Sequence, residues 1–431
     1  MTKLATPSAI KLKDNCGSAF PLILLGALAL TFGVTFKNIP AIALGITLVV
    51  VPGVMYAILR IALHGVTATR VAPTTAFEGD EIEIKLVLKN GGRFSLFQPM
   101  LTEIFIPEIH TQKHILFPFR VRPREVVEAS YRGRCVLPRG IYDLGPTLAV
   151  VADPFGWFQL RKTLPTETQI KVYPRFDRFG VEERRGSVHS LATERLTRLG
   201  VGQSTEFFSV REYRVGDPFR RLHWPLTAHR GFPVVREFAR PATGDLFLYL
   251  DLYRYGLLGI GRGSSLEHSV RIVASLASHS LRLGHRVQLN AWGGERRCLP
   301  LGIGRQQLQK ILDQLVVARP DGDAPLDKVL RDTAQDILPG ATVVLMVSPY
   351  LRKSRLFDAQ VRALKGRGTH VSLVIFDDST FRNIYALSDD REHVEQYLQR
   401  MRSLGVRTYL VPCAANLPAI FAAPATVGAL R

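Results

Sequence analysis

Two apolar stretches separated by two residues constrain this chain more than anything else in it. Residues 19–36, "AFPLILLGALALTFGVTF", run 18 positions without a charge; after Lys37 and Asn38, "IPAIALGITLVVVPGVMYAIL" at 39–59 runs 21 more. A helix rises about 1.5 Å per residue and the hydrocarbon core of a bilayer is roughly 30 Å thick, so each stretch is just long enough to cross it. The short connection predicts a transmembrane helical hairpin, which satisfies its backbone N–H and C=O groups internally, as lipid demands. Pro40 falls in the first turn of the second helix, where a missing N–H is harmless, and Pro52 falls inside it, where it can bend the helix. A cleaved leader would need a small-residue cleavage site after residue 36, and none stands out. A hydrophobic hairpin buried in a soluble core is the other alternative.

Orientation follows from the flanks. Lys3, Lys11 and Lys13 precede the first stretch, Arg60 and Arg70 follow the second, and the turn holds only Lys37. The positive-inside rule predicts a multi-pass protein of the cell (inner) membrane, with residues 1–18 and the C-terminal body both cytoplasmic. The 431-residue chain carries 56 Lys and Arg against 37 Asp and Glu, a net charge of +19. Such an excess suits nucleic acid, an anionic membrane surface or an acidic protein. A body lying against anionic lipid accounts for it, so nucleic acid is not expected as a partner. Cys16, Cys135, Cys298 and Cys413 are far apart and form no Cys-x-x-Cys pair. They predict neither a zinc framework nor a disulfide set, as in a reducing compartment.

A chain this long exceeds one ordinary core, and the body divides by rhythm. Over 66–172 short strand-like runs such as "DEIEIKLVLKN" alternate polar and apolar residues between Pro and Gly breaks, predicting a β-sandwich domain. Residues 173–204 read as a polar linker, and 205–244 as a segment rich in arginine and aromatics. From 245 to 424 apolar strands such as "DLFLYLDLY" and "ATVVLMVSPY" alternate with amphipathic helices, predicting a doubly wound α/β domain. Ligands of such sheets bind beyond the carboxyl ends of strands, here the loops after Asp251, Ala291, Ser348 and Asp377.

Those loops hold no evident catalytic set. Gly259, Gly261 and Gly263 fit neither the dinucleotide nor the phosphate-loop pattern and read as a flexible loop. Asp251 ends a strand and could meet Asp377 or Asp378 across the top of the sheet, but carboxylates alone make a weak Mg²⁺ site. No nucleophile elbow or zinc-protease motif is present. What remains is "TEFFSVREYRVGDPFRRLHW" at 205–224, where Arg211, Arg220 and Arg221 can grip Glu206, Glu212 or Asp217 through two-pronged bonds, with Tyr213 and Trp224 alongside. It reads as an internal ionic joint, a protein-docking surface, or a surface on which bases stack.

The order of a hairpin, then "YRGRCVLPRGIYDLGP…DPFGWF", then "EFFSVREYRVGDPFRRLHWPLTAHRGFPVVREF" resembles membrane proteins carrying the domain of unknown function 58, over most of residues 20–380. The resemblance implies a von Willebrand factor A-like α/β domain, no enzymatic activity, and work beside a MoxR-type AAA+ ATPase in assembling or maturing complexes. The motif positions are Arg211, Glu212, Tyr213, Gly216, Asp217, Arg220, His223, Trp224, Arg236 and Glu237. One departure matters: where such domains hold a divalent cation with Asp-x-Ser-x-Ser, this chain has Asp251, Tyr253 and Tyr255, and "DGDAPLDK" at 321–328 offers no threonine. The expectation is a membrane-anchored adaptor without metal or cofactor that recruits partners by surface complementarity. The alternative is a metal-dependent hydrolase or transferase using Asp251 and Asp377.

Overall fold

The structure, a computed structural model, describes residues 19–109, 111–177, 201–214, 217, 219, 222–239, 244–381, 391–414, 416, 417 and 420. The expected N-terminal segment 1–18, most of the polar linker and the stretch up to residue 424 lie outside them. The chain forms two compact units that divide between Tyr173 and Pro174.

In the first unit, helix α1 (Phe20–Thr35) turns back through Lys37 into α2 (Ile39–His64). Asn38 caps α2 by accepting the Ala41 N–H at 3.1 Å. The helices run antiparallel at close range. A Cβ on Gly26 would lie 2.9 Å from Leu48, on Gly33 2.7 Å from Ile42 and on Gly45 2.6 Å from Leu30, so only glycine admits this approach. α2, with 26 residues and a mean hydropathy of 2.4 over its most apolar window, is long and apolar enough to cross a membrane. α1 has 16 residues, about 24 Å of rise, short of the roughly 30 Å core. One helix of spanning length therefore stands where two were expected, and α2 continues to His64 rather than ending at 59.

A single residue, Gly65, links α2 to strand β1 (Val66–Val71). Its O accepts the Gly91 N–H at 2.9 Å, and a Cβ there would meet Gly92 N at 2.5 Å. The following strands are β2 (Thr75–Phe77), β3 (Glu81–Asn90), β4 (Leu96–Phe105), β5 (Thr111–Leu116), β6 (Arg120–Val121), β7 (Val126–Arg134), β8 (Gly140–Leu144), β9 (Thr147–Ala152), β10 (Gln159–Leu164) and β11 (Thr168–Tyr173). They build three sheets, ordered β1-β3-β7, β10-β9-β4-β5 with β6 on β4, and β2-β11-β8. The sheet pattern read from 66–172 is present, with three sheets in place of a sandwich's two. Along β3, Ile82, Ile84, Leu86 and Leu88 are buried while Glu81, Glu83 and Lys85 face out, the two-residue period of a strand with one dry face.

Two buried clusters hold this unit. One joins Leu59, Ala62 and Leu63 of α2 to Leu86, Leu96, Val151 and Phe158; the other gathers Ile84, Phe105, Leu144 and Ile170. Lys162 closes the end of α2, its Nζ donating to the carbonyls of Leu63, His64 and Val66 at 3.3, 2.8 and 3.1 Å. A fully buried ion pair, Arg70 with Glu103 at 2.5 Å, lies between strands, and Arg70 also donates to the carbonyls of Leu144 and Thr166. Burial raises the Glu103 pKa, and the Arg70 guanidinium pulls against that.

The second unit opens with an antiparallel ribbon, β12 (Val201–Glu212) against β13 (Val234–Ala239), with helix α3 (Trp224–Arg230) between them in sequence. The main body comprises β14 (Asp245–Asp251), α4 (Ser265–Arg282), β15 (Arg286–Trp292), β16 (Arg296–Gly302), α5 (Gly304–Val317), α6 (Leu326–Thr333), β17 (Thr342–Val347), α7 (Pro349–Arg352), α8 (Arg355–Gly366), β18 (His370–Phe376), α9 (Arg391–Ser403) and β19 (Arg407–Val411). The sheet order β16-β15-β14-β17-β18-β19 is parallel except for the edge strand β16. β14 and β17 are buried almost end to end. Phe247, Tyr249, Val343 and Leu345 pack with α6, α8 and α9, whereas α4 lies against β14 and β15. The doubly wound α/β pattern is thus observed, with β16 and α6 added to the expected elements. Because the order reverses between β14 and β17, a crevice opens between the carboxyl ends of those two strands.

Candidate functional site

Asp251 ends β14 at that crevice. Its Oδ1 accepts the Tyr253 N–H at 3.0 Å, while its Oδ2, shut off from solvent, has no hydrogen bond. Ser348, the residue after β17, turns a buried hydroxyl toward the same space. Gly256 closes the pocket: a Cβ there would lie 3.0 Å from Ser348 Cβ and 3.3 Å from Asp251 Oδ2. The cavity holds about 20 Å³, room for a single water. Burial pushes the Asp251 carboxyl up to about 6. The nearby Ser348 hydroxyl and the Tyr253 amide hold it down, and the charge of Asp327 adds to the rise.

Ser265 and Ser269 also line the pocket, but their hydroxyls are engaged: Ser265 Oγ accepts the Leu258 N–H at 3.0 Å, and Ser269 Oγ donates to the Ser265 carbonyl at 2.8 Å. Two uncommitted oxygens in a water-sized cavity are too few for a divalent cation that needs six oxygen ligands. No cluster of three His, Cys, Asp or Glu side chains suited to a metal occurs among the described residues. Tyr253 and Tyr255 pack ring to ring at 5.5 Å, and Tyr253 meets Tyr350 at 5.1 Å.

Asp377 does not line this pocket. Its Oδ1 accepts the N–H and hydroxyl of Ser379 at 3.1 and 2.6 Å, and neighbouring Asp378 pairs with Arg352. The carboxylate whose charge reaches Asp251 is Asp327, whose Oδ2 accepts the Ser354 hydroxyl at 2.6 Å. Sequence reasoning marked Ser348 only as a strand end and did not single out Asp327. The signal for Ser348 was its place at the end of the strand beside the switch point.

Alongside the tyrosines lies a groove of about 560 Å³ lined by Tyr255, Tyr350, Arg352, Lys353, Tyr397 and Arg400, among others. Tyr255 and Tyr350 are 75% and 47% exposed. Arg400 reaches Asp358 at 2.7 Å and lies 5.1 Å from the Tyr397 ring. The groove presents aromatic area and positive charge at the carboxyl end of the sheet.

The arginine-aromatic segment forms a compact knot on the β12–β13 ribbon. Arg211 grips Asp217 with two bonds of 2.7 Å, and the Arg214 N–H donates to the same carboxylate at 2.9 Å. The Arg211 guanidinium first, and that amide second, hold the Asp217 carboxyl down to about 2. Tyr213 stacks on Phe219 at 5.7 Å, and Glu212 ends β12 opposite Val234. His223 caps α3, its Nδ1 accepting the Leu226 N–H at 3.3 Å, and Trp224 in the next position is 66% exposed. On β13, Arg236 stands opposite Val210 and Glu237 opposite Ser209. Gly216 and Arg220 lie outside the described residues.

A helix apolar enough for a membrane and a mostly parallel α/β unit with an ionic knot define the class of the chain. Within it, residues 209–384 match the family model described as protein of unknown function DUF58. The chain is similar to the uncharacterized protein YeaD of Bacillus subtilis, 24% identical over 275 residues that cover 60% of this chain and 64% of the relative. It thus spans somewhat less than two thirds of that relative's length. Among solved structures, a CARDB domain from Pyrococcus furiosus in complex with di-metal ions is 15% identical, with 25% of this chain and 86% of that one covered and a TM-score of 0.19. A GH20 exo-β-N-acetylglucosaminidase mutant from Vibrio harveyi is 9% identical, with 81% and 82% covered and a TM-score of 0.18. Likenesses this slight bear on neither fold nor function.

Proposed function

We propose that this chain is a non-enzymatic adaptor, anchored in the inner membrane through α2, against which α1 packs, with its β-rich and α/β units in the cytoplasm. Its α/β unit serves as a von Willebrand factor A-like recognition module that works without a metal ion. The observation that carries the reading is the tyrosine- and arginine-lined groove beside Asp251, at the strand ends where doubly wound sheets bind their ligands. Exposed aromatics flanked by cationic side chains are the composition of binding hot spots; Arg352 and Arg400 are paired with Asp378 and Asp358, so Tyr255, Tyr350 and Lys353 offer the surface for an acidic segment of a protein. The doubly wound sheet, with Asp251 closing its first strand, supports the A-like assignment. The AAA+ ATPase partner of MoxR type comes from the resemblance of the 206–238 motif.

Co-purification of the detergent-solubilised full chain with such an ATPase tests the reading. Tyr350→Ala and Lys353→Glu should abolish recovery. Trp224→Ala and Arg220→Ala then separate a docking role of the 205–244 segment, in which recovery falls, from a bracing role, in which it does not. Unchanged recovery in all four variants, with folding intact, contradicts the adaptor.

A further inference from the structure

The "DPFGWF" tip between β9 and β10 has no part in the α/β site, yet it is built with care. Asp153, nearly buried, accepts the Phe155 N–H at 2.9 Å through Oδ2 and the Phe158 N–H at 2.5 Å through Oδ1. The Gly156 N–H donates back to the Asp153 carbonyl at 3.1 Å, and Gly156 takes the left-handed conformation (φ 71°) that closes so tight a turn. This rigid loop holds Phe155 61% exposed and stacked on Trp157, ring centroids 4.6 Å apart. A large apolar ring held in water by a preformed loop calls for an apolar environment.

The neighbouring helix shows which one. Phe158 meets Tyr56 of α2 at 5.4 Å, and Lys162 caps α2 at Leu63–Val66. From Tyr56 to His64 the helix rises about 12 Å, and from Phe158 to Lys162 the strand rises about 13 Å, so β10 and this end of α2 run alongside each other in the same direction. The tip therefore points up α2, to the level of Tyr56 or beyond. Tyr56 lies inside the charge-free run 39–59. The same level marks the start of α1. The Gly26–Leu48, Leu30–Gly45 and Gly33–Ile42 contacts set the antiparallel register and place Ala19 opposite Tyr56, and Ala19 is buried in the cluster that holds Phe158. Tyr56, Phe155 and Trp157 thus gather at one height, where both apolar helices meet the β strands. Aromatic residues collect at the headgroup layer of a bilayer for this reason, one part of the ring in lipid and one part wet.

We propose that the β9–β10 tip, with Phe155 and Trp157 at its apex, is a lipid-contacting anchor that seats the β-rich unit in the interfacial layer of the bilayer that α2 enters. The proposal rests on the reading of α2 as a membrane helix. Its occupant is phospholipid, because the patch continues the apolar surface of the helices themselves.

The test uses the full chain in two sets of phosphatidylcholine vesicles. One contains lipid brominated near the glycerol end of the acyl chains, which reads the tip; the other contains lipid brominated near their methyl end, which reads position 46, about 15 Å deeper than Tyr56. The wild type should lose a component of tryptophan emission that Trp157→Phe no longer loses, the contributions of Trp224 and Trp292 cancelling in the difference. Phe155→Trp in the Trp157→Phe background should restore the quenching. Ile46→Trp, on the exposed side of α2, reports the helix separately. If Ile46→Trp is quenched while wild type and Trp157→Phe respond alike, the helix is in lipid, the tip is not, and the inference fails. If Ile46→Trp is not quenched either, the membrane reading fails and takes the inference with it.

Discussion

Replacing Asp251 by asparagine should make the chain more stable at neutral pH, an unusual outcome for a change at a candidate site. The folded carboxyl titrates near 6 against 3.8 for an unperturbed aspartate, because burial penalises its charge more than Tyr253 and Ser348 relieve it. That difference, at 1.36 kcal/mol per pKa unit, corresponds to about 3 kcal/mol as an upper limit. The sign follows from proton binding. The folded state holds this proton more tightly than the unfolded chain, so the group's contribution to stability is full below about pH 4 and is lost as pH rises through about 6. Asparagine keeps an oxygen for the Tyr253 N–H, offers its amide protons to Ser348 Oγ and does not titrate. Urea unfolding of the solubilised full chain between about pH 4.5 and 7.5 measures both terms. The wild type should weaken across that range, while Asp251→Asn should be flatter and stronger at the upper end. A variant weaker than wild type at pH 7.5, or one with the wild-type pH slope, refutes the reasoning and points to a carboxylate that is charged and bound to something.

Two further outcomes follow from the ion pairs. Arg70→Ala should destabilise the β-rich unit by about 3–5 kcal/mol in thermal or urea unfolding, because Glu103 is left buried without a counter-charge, and pairing it with Glu103→Leu should recover most of the loss; a loss below about 1 kcal/mol would mean that water reaches the site. Arg211→Ala should return the Asp217 carboxyl from about 2 toward the ordinary aspartate range in a carbon-13 NMR titration, and an unmoved titration would show that the Arg214 amide alone holds it down.

Much of this fold could be read from local pattern. The alternation of β3, the continuous apolar runs of β14 and β17, and the Asn38 and Pro40 start of α2 each follow from periodicity or capping within a few residues. The Arg211–Asp217 grip, six residues apart, was among the pairings the sequence allowed. Strand neighbours were not legible in the same way. β17 lies between β14 and β18, so Asp251 and Asp377 stand two strand spacings apart, roughly 10 Å, and Ser348 reaches Asp251 in their place. β16 escaped notice because "RRCLPLG" mixes arginines with proline and glycine, and α6 because its Leu326, Val329 and Leu330 spacing, though helical, spans only eight residues. Asp327 lies in "DGDAPLDK", which the sequence shows only to lack a threonine, because its charge acts on Asp251 through space and no spacing rule encodes that.

The link at Gly65 makes the β-rich unit a stiff continuation of α2 instead of a passenger on a string. Adding one residue to the helix would turn everything beyond it by about 100° and lift it by about 1.5 Å. Helix length in this chain therefore sets the compass bearing of the attached domain, and insertions there should be tolerated only in steps close to whole turns.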